Sequence, residues 1–156
     1  SQIGTNPERT PMDIIPIVKN AMNYLSSRSS KNITYQINLP EQEEIILPIN
    51  QCLLEWVLEN LSKNAIDAMG GIGTLSLEMS QDNKRVIIDI SDTGKGMQKK
   101  EFKKIFEAGY TTKERGWGMG LSLAKRIIEE YHHGKIFVKQ SVIGKGTTFR
   151  IMLKKL

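Results

Sequence analysis

Residues 50–69 constrain the fold most. At about 100° per residue, Leu54, Val57, Leu58, Leu61, Ala65 and Ala68 fall on one arc, which predicts a helix with a single apolar face. Gly70-Gly71 closes it as a C-terminal cap signal. Such a helix needs a second layer to bury its stripe. Residues 33–39 alternate with period two and read as a strand. Further strands are expected over residues 74–80 and 85–92, joined at Asp82-Asn83, and over 135–140 and 147–153, joined by Gly144-Lys145-Gly146. Ile45-Ile46-Leu47 reads as a short strand ended by Pro48. Asp13 to about Ser27 carries an apolar helical stripe. A short helix is expected near residues 99–106, and another from around Gly120 to Tyr131. Residues 1–10 read as a flexible lead-in and 11–156 as one domain. Strand pairs separated by helices predict an α+β two-layer sandwich, with helices on one face of a mixed sheet.

Composition removes several functions. Cys52 is the only cysteine, so an internal disulfide and a cysteine zinc cluster are excluded. His132 and His133 are the only histidines, which leaves little for a His-rich metal site or a Ser-His-Asp triad. No apolar run approaches the ~20 residues of a membrane helix, and no segment reads as a signal peptide. The net charge of +5 suits an anionic ligand. The basic residues are scattered, and aromatics make up only 6% of the chain, so no stacking platform points to nucleic acid. The chain opens on Ser rather than Met and is expected to be a piece of something longer.

Nine of the 13 glycines lie after residue 90, which concentrates the candidate chemistry there. Seven of them punctuate 92–96, 116–120 and 144–146, where backbone could approach a ligand closely. The 116–120 cluster runs straight into a helix, whose unpaired N–H groups make a candidate phosphate cradle; it could equally be a plain turn. Asn60, Asn64 and Asp67 share an arc beside the core stripe of the 50–69 helix. Short polar groups there need partners, either loop backbone or a hydrated Mg²⁺ shared with phosphates. Asp92 ends an apolar strand and opens a glycine turn. It suits either an exocyclic amine such as adenine N6 or its own turn backbone.

In this order and spacing, the segments resemble the ATP-binding catalytic domain of bacterial sensor histidine kinases, within the superfamily of gyrase, Hsp90 and MutL. Residues 60–68 look like the N box, 92–97 the G1 box, and Phe102, Phe106 and Thr111-Thr112-Lys113 the F box with its extension. Gly116, Gly118, Gly120 and Leu121 look like the G2 box, and residues 144–149 the G3 box. Each box alone is degenerate, whereas five in order are highly specific.

The resemblance implies a Bergerat-type fold: a five-stranded mixed sheet with three helices on one face, holding ATP and Mg²⁺. It implies that Asn64 ligates Mg²⁺, with Asn60 nearby, and that Asp92 bonds the adenine amine. Gly94 and Gly96 would let the base lie close to backbone. Gly118, Gly120 and Leu121 would present amides to the phosphates, and Lys113 with Arg115 would neutralise them. Thr148 would line the adenine pocket, and Met97, Thr112 and Gly116 complete the nucleotide-contacting set. Asn60, Lys113 and Arg115 are the residues it gives a catalytic role. Residues 98–117 would form a lid over ATP.

The superfamily's ATPases carry a water-activating Glu where this chain has Asn60, and Glu59 lies ~100° around the helix. The implied reaction is therefore transfer of the γ-phosphoryl group to a histidine on a dimerisation domain absent from this chain. A response-regulator receiver domain would be a further partner. The full-length protein would be a homodimer, its parent a candidate for membrane attachment and this domain cytoplasmic. His132-His133-Gly134 departs from the family's usual His-Gly-Gly and reads as a turn rather than a phosphoacceptor. Asp67 stands where many relatives have Lys or Gln. A stand-alone serine kinase acting on a sigma-factor partner, or a gyrase/Hsp90/MutL-type ATPase fragment, remain the alternatives.

Overall fold

A computed structural model describes residues 7–41, 43–110 and 120–156. The first strand, β1 (Thr10–Asp13), pairs antiparallel with β3 (Ile46–Ile49) in a small sheet of its own. Neither the strand at Thr10 nor the extension of β3 through Pro48 was expected. A two-stranded ribbon has free edges, where a missing proline N–H costs no ladder bond, and Pro11 sits opposite Pro48 in the register. Helix α1 (Ile14–Arg28) starts where Asp13 Oδ1 accepts the Ile15 N–H at 3.1 Å. The same oxygen accepts the Ile45 N–H at 3.1 Å, anchoring the helix start to the chain entering β3.

The main sheet runs β2 (Ile33–Asn38), β4 (Gly73–Gln81), β5 (Arg85–Asp92), β7 (Gly146–Lys154), β6 (Lys135–Val142) in spatial order. The β2–β4 pair is parallel and the rest antiparallel, giving the expected mixed five-stranded sheet. Period-two alternation decides which face is covered: Val86, Ile88, Ile90 and Asp92 of β5 are buried, while Arg85, Ile87, Asp89 and Ser91 turn to the other side. The buried row meets α1, α2 (Gln51–Ala68) and α3 (Gly120–Arg126) in one continuous apolar core.

Asn50 caps α2, its side chain accepting the Leu53 N–H at 3.1 Å. At the other end the Gly70 N–H reaches the Asp67 carbonyl at 3.0 Å and the Gly71 N–H reaches Ile66 at 3.2 Å, a Schellman closure. The segment near 99–106 is two 3₁₀ turns, Lys99–Glu101 and Lys104–Phe106, rather than one helix. After Arg126 the last helix widens into a π turn, Ile127–Tyr131. There the buried His132 ring bonds the Ile127 carbonyl through Nδ1 at 2.9 Å and accepts the Asn50 N–H on Nε2 at 3.1 Å. His133 takes φ 56°, the left-handed region, at the position where the family pattern has glycine.

Candidate functional site

Helix α2 turns Leu54, Val57, Leu58, Leu61 and Ala65 into the core, which leaves Asn60 and Asn64 half-buried on its flank, one turn apart. Asp67 is exposed, so the expected polar arc splits toward its C-terminal end. The Asn60 amide is the informative group: its Nδ2 is buried and has no hydrogen-bond partner among the described residues. A buried donor without an acceptor costs about 1–3 kcal/mol. Gly120, the first residue of α3, lies against it. A Cβ built there would stand 2.9 Å from Asn60 Nδ2 and 3.0 Å from Oδ1. The start of α3 and the flank of α2 therefore lie directly against each other, with Leu121 half-buried beside them.

Asp92 ends β5 and is buried. Its Oδ1 accepts the Gly94 N–H at 2.8 Å and the Thr147 N–H at 3.3 Å, while Oδ2 accepts no hydrogen bond among the described residues. Both sequence readings of this residue thus have room: one oxygen shapes the turn and the other is left over. Burial pushes the carboxyl above the usual carboxylate range, against the lowering effect of the two amides. Next to it, Ser91 and Thr148 share a hydroxyl–hydroxyl bond of 2.7 Å, and Thr148 is buried.

The 92–97 turn is fastened at three points. The Lys95 N–H donates to the Ala68 carbonyl at 3.0 Å, the Gly144 N–H to the Lys95 carbonyl at 2.7 Å, and the Met97 N–H to Ser141 Oγ at 2.8 Å. A Cβ on Gly94 would fall 2.6 Å from the Ala68 carbonyl oxygen. One on Gly96, at φ +71°, would fall 2.2 Å from that of Val142. These two glycines serve backbone-to-backbone closeness within the protein. Ser141 was not singled out from sequence, and Ala68 and Thr147 entered only as a core position and a box member, without these partners. Their partners are 27, 44 and 55 residues away, as counted along the chain from Lys95, Met97 and Asp92. No local pattern marks such contacts.

Helix α2 thus links the two glycine segments: Asn60 meets Gly120, and two turns on, about 12 Å along the axis, Ala68 meets Gly94. Thr112, Lys113, Arg115, Gly116 and Gly118 lie outside the described residues.

Residues 49–156 match the family described as Histidine kinase-, DNA gyrase B-, and HSP90-like ATPase. The chain belongs to that family. Within it, sporulation kinase E of Bacillus subtilis is 36% identical over 143 residues, covering 90% of this chain and 19% of the relative. The sensor histidine kinase ZraS of Salmonella typhimurium is 36% identical over 162 residues, covering 93% and 34%. The solved catalytic domain of the histidine kinase ThkA superposes with a TM-score of 0.84 at 26% identity, covering 96% of this chain and 97% of that one. This chain spans about a fifth to a third of the length of the curated relatives it matches, and nearly all of the solved ThkA domain. Family membership makes this an ATP-binding domain. Among the described residues no helix is long and apolar enough to cross a membrane.

Proposed function

We propose that the chain is the ATP-binding catalytic domain of a two-component sensor histidine kinase. One observation carries the reading. Among the described residues, a buried carboxylate with an uncommitted oxygen, Asp92, and a buried amide with an unmet donor, Asn60, are linked through the length of α2, and we assign the nucleotide crevice to the space between them. A purine nucleotide meets both needs. Its exocyclic amine donates to Asp92 Oδ2, and a phosphate oxygen accepts from Asn60 Nδ2. Thr148 lines the base end, and Gly120 and Leu121 border the phosphate end with the start of α3.

Among the described residues no three His, Cys, Asp or Glu side chains gather into a metal cage. A Mg²⁺ here would rest on the amide oxygen of Asn64, with Asn60 nearby, on water and on the phosphates themselves, a donor set that this hard cation accepts. The ion would supply charge neutralisation, and Lys113 and Arg115 more of the same. The residues of α2 and the glycine turns bind, orient and exclude water, which is most of what phosphoryl transfer asks of a protein.

Asn60 occupies the place of the water-activating Glu of the ATPases, and an amide cannot take a proton from water. We therefore assign the γ-phosphoryl group to a histidine nitrogen on a dimerisation domain elsewhere in the parent. The bond from the γ-phosphorus to the bridging oxygen breaks and ADP leaves. A response-regulator receiver is the next acceptor. The site belongs on the cytoplasmic side, where ATP is, within a homodimeric parent.

The test supplies the parent's histidine-bearing helical hairpin in trans with radiolabelled ATP. Label should appear on the hairpin and none on this chain alone. A stable label on the isolated chain overturns the assignment. So does steady hydrolysis that disappears on Glu59→Ala.

A further inference from the structure

The strand register gathers cations at the end of the sheet opposite the crevice. Arg85 opens β5 and faces Lys154 directly across the antiparallel ladder. One step further out, the Lys155 N–H donates to the Lys84 carbonyl at 2.9 Å, which sets those two residues side by side. Like charges placed opposite one another in a ladder are destabilising. Elsewhere the same sheet balances its cations. On its outer face Asp89 takes Arg150 in a forked pair at 2.8 and 2.9 Å and Lys139 at 3.6 Å.

At the sheet's end, among the described residues, Asp82 is the side chain that pairs with them. Its Oδ2 lies 3.7 Å from Arg85, and its Oδ1 already accepts the Lys84 and Arg85 N–H groups, both at 2.8 Å. Among the described residues, Asp82 is the side-chain carboxylate set against Lys84, Arg85, Lys154 and Lys155, and even with the terminal carboxylate of Leu156 the cations outnumber the anions.

The four cations line an open surface depression of about 540 Å³ with Asn83 and Leu156. A neighbouring cavity of about 310 Å³ shares Arg85 and Lys154 and adds His133 and Lys135. Both volumes suit a small ligand.

We propose that this end of the sheet is a second anion site, which takes a compact polyanion: a diphosphate or triphosphate group. Seven residues of β5, about 23 Å, separate Arg85 from Asp92, so one nucleotide cannot fill both sites. A bound polyphosphate would remove the repulsion within Arg85–Lys154 and Lys84–Lys155.

The test is a titration of the whole chain with inorganic tripolyphosphate, followed by amide NMR at fixed ionic strength. The amides of Lys84, Arg85, Lys154 and Lys155 should shift saturably, and the Arg85→Gln/Lys154→Gln variant should bind at least about tenfold more weakly there. Because that variant loses a repulsive pair, its urea midpoint should not fall. Lys155→Gln alone provides a milder second readout. No saturable shift at those four amides, equal shifts with chloride, or equal binding by the variants overturns the proposal. The readout is local to this corner, so it stands or falls separately from nucleotide binding in the α2 crevice.

Discussion

Replacing Asp92 by Asn separates its two jobs. Asn keeps the shape of Asp, so its Oδ1 can still accept the Gly94 and Thr147 N–H groups that hold the turn. The leftover oxygen becomes an NH₂, and a donor then faces the donor of the adenine amine. Losing a hydrogen bond to a charged group costs about 1.5–3 kcal/mol, or roughly 10- to 150-fold in Kd. Inosine triphosphate carries a carbonyl where adenine carries the amine, so Asp92→Asn should narrow or reverse the preference for ATP over inosine triphosphate. Asp92→Ala differs in kind. It strands both N–H groups, at about 1–3 kcal/mol each, and should lower the urea midpoint as well as binding. Calorimetric titration with both nucleotides, beside urea unfolding of both variants, checks the scheme. ATP binding by Asp92→Asn within about twofold of wild type, or equal destabilisation by the two variants, would refute the division of labour between the oxygens.

Three further outcomes are expected. Burial holds His132 below its ordinary pKa, despite the Ile127 carbonyl that favours its charged form. Its neutral ring accepts the Asn50 N–H, so its contribution is whole above about pH 6.5 and is lost as pH falls through the lower folded value. Asp92, with its raised pKa, works in the opposite direction at more acid pH. Urea unfolding from pH 7.5 to 5 should show a decline that His132→Gln flattens. Gly96→Ala should destabilise by at least about 2 kcal/mol, combining left-handed strain with a backbone collision, while Gly144→Ala, at φ +81° in open space, should cost only the ~1–2 kcal/mol of strain. Denaturant midpoints compare the two. His133→Gly should raise stability by up to about 1 kcal/mol in thermal melts, because relief of left-handed strain exceeds the entropy that glycine adds to the unfolded chain.

The elements that were legible carry their reasons locally. Helix α2 has its apolar arc, its Asn50 cap and its Gly70-Gly71 closure in one unbroken stretch of sequence, and the sheet strands alternate with period two. Strand β1 was hidden because Thr10-Pro11-Met12-Asp13 has no alternation; it exists through β3, some 36 residues on. The π turn was hidden for the same reason: the His132 that closes on its Ile127 carbonyl also accepts the Asn50 N–H, 82 positions away. In the site, residue types and spacing pointed to Asn60, Asn64 and Asp92. The purpose of Gly94 and Gly96 did not follow from spacing. A small residue tells of close approach but not of what approaches, and here it is Ala68 and Val142.

The bond from Lys95 to the Ala68 carbonyl ties the glycine turn to the last turn of α2. The carboxylate end and the amide end of the crevice therefore keep a spacing written in helical steps. One residue inserted between Asn64 and Ala68 would turn Asn60 by about 100° and displace it by about 1.5 Å relative to Asp92. The helix acts as a measuring rod, and a tail of the wrong length could not touch both marks.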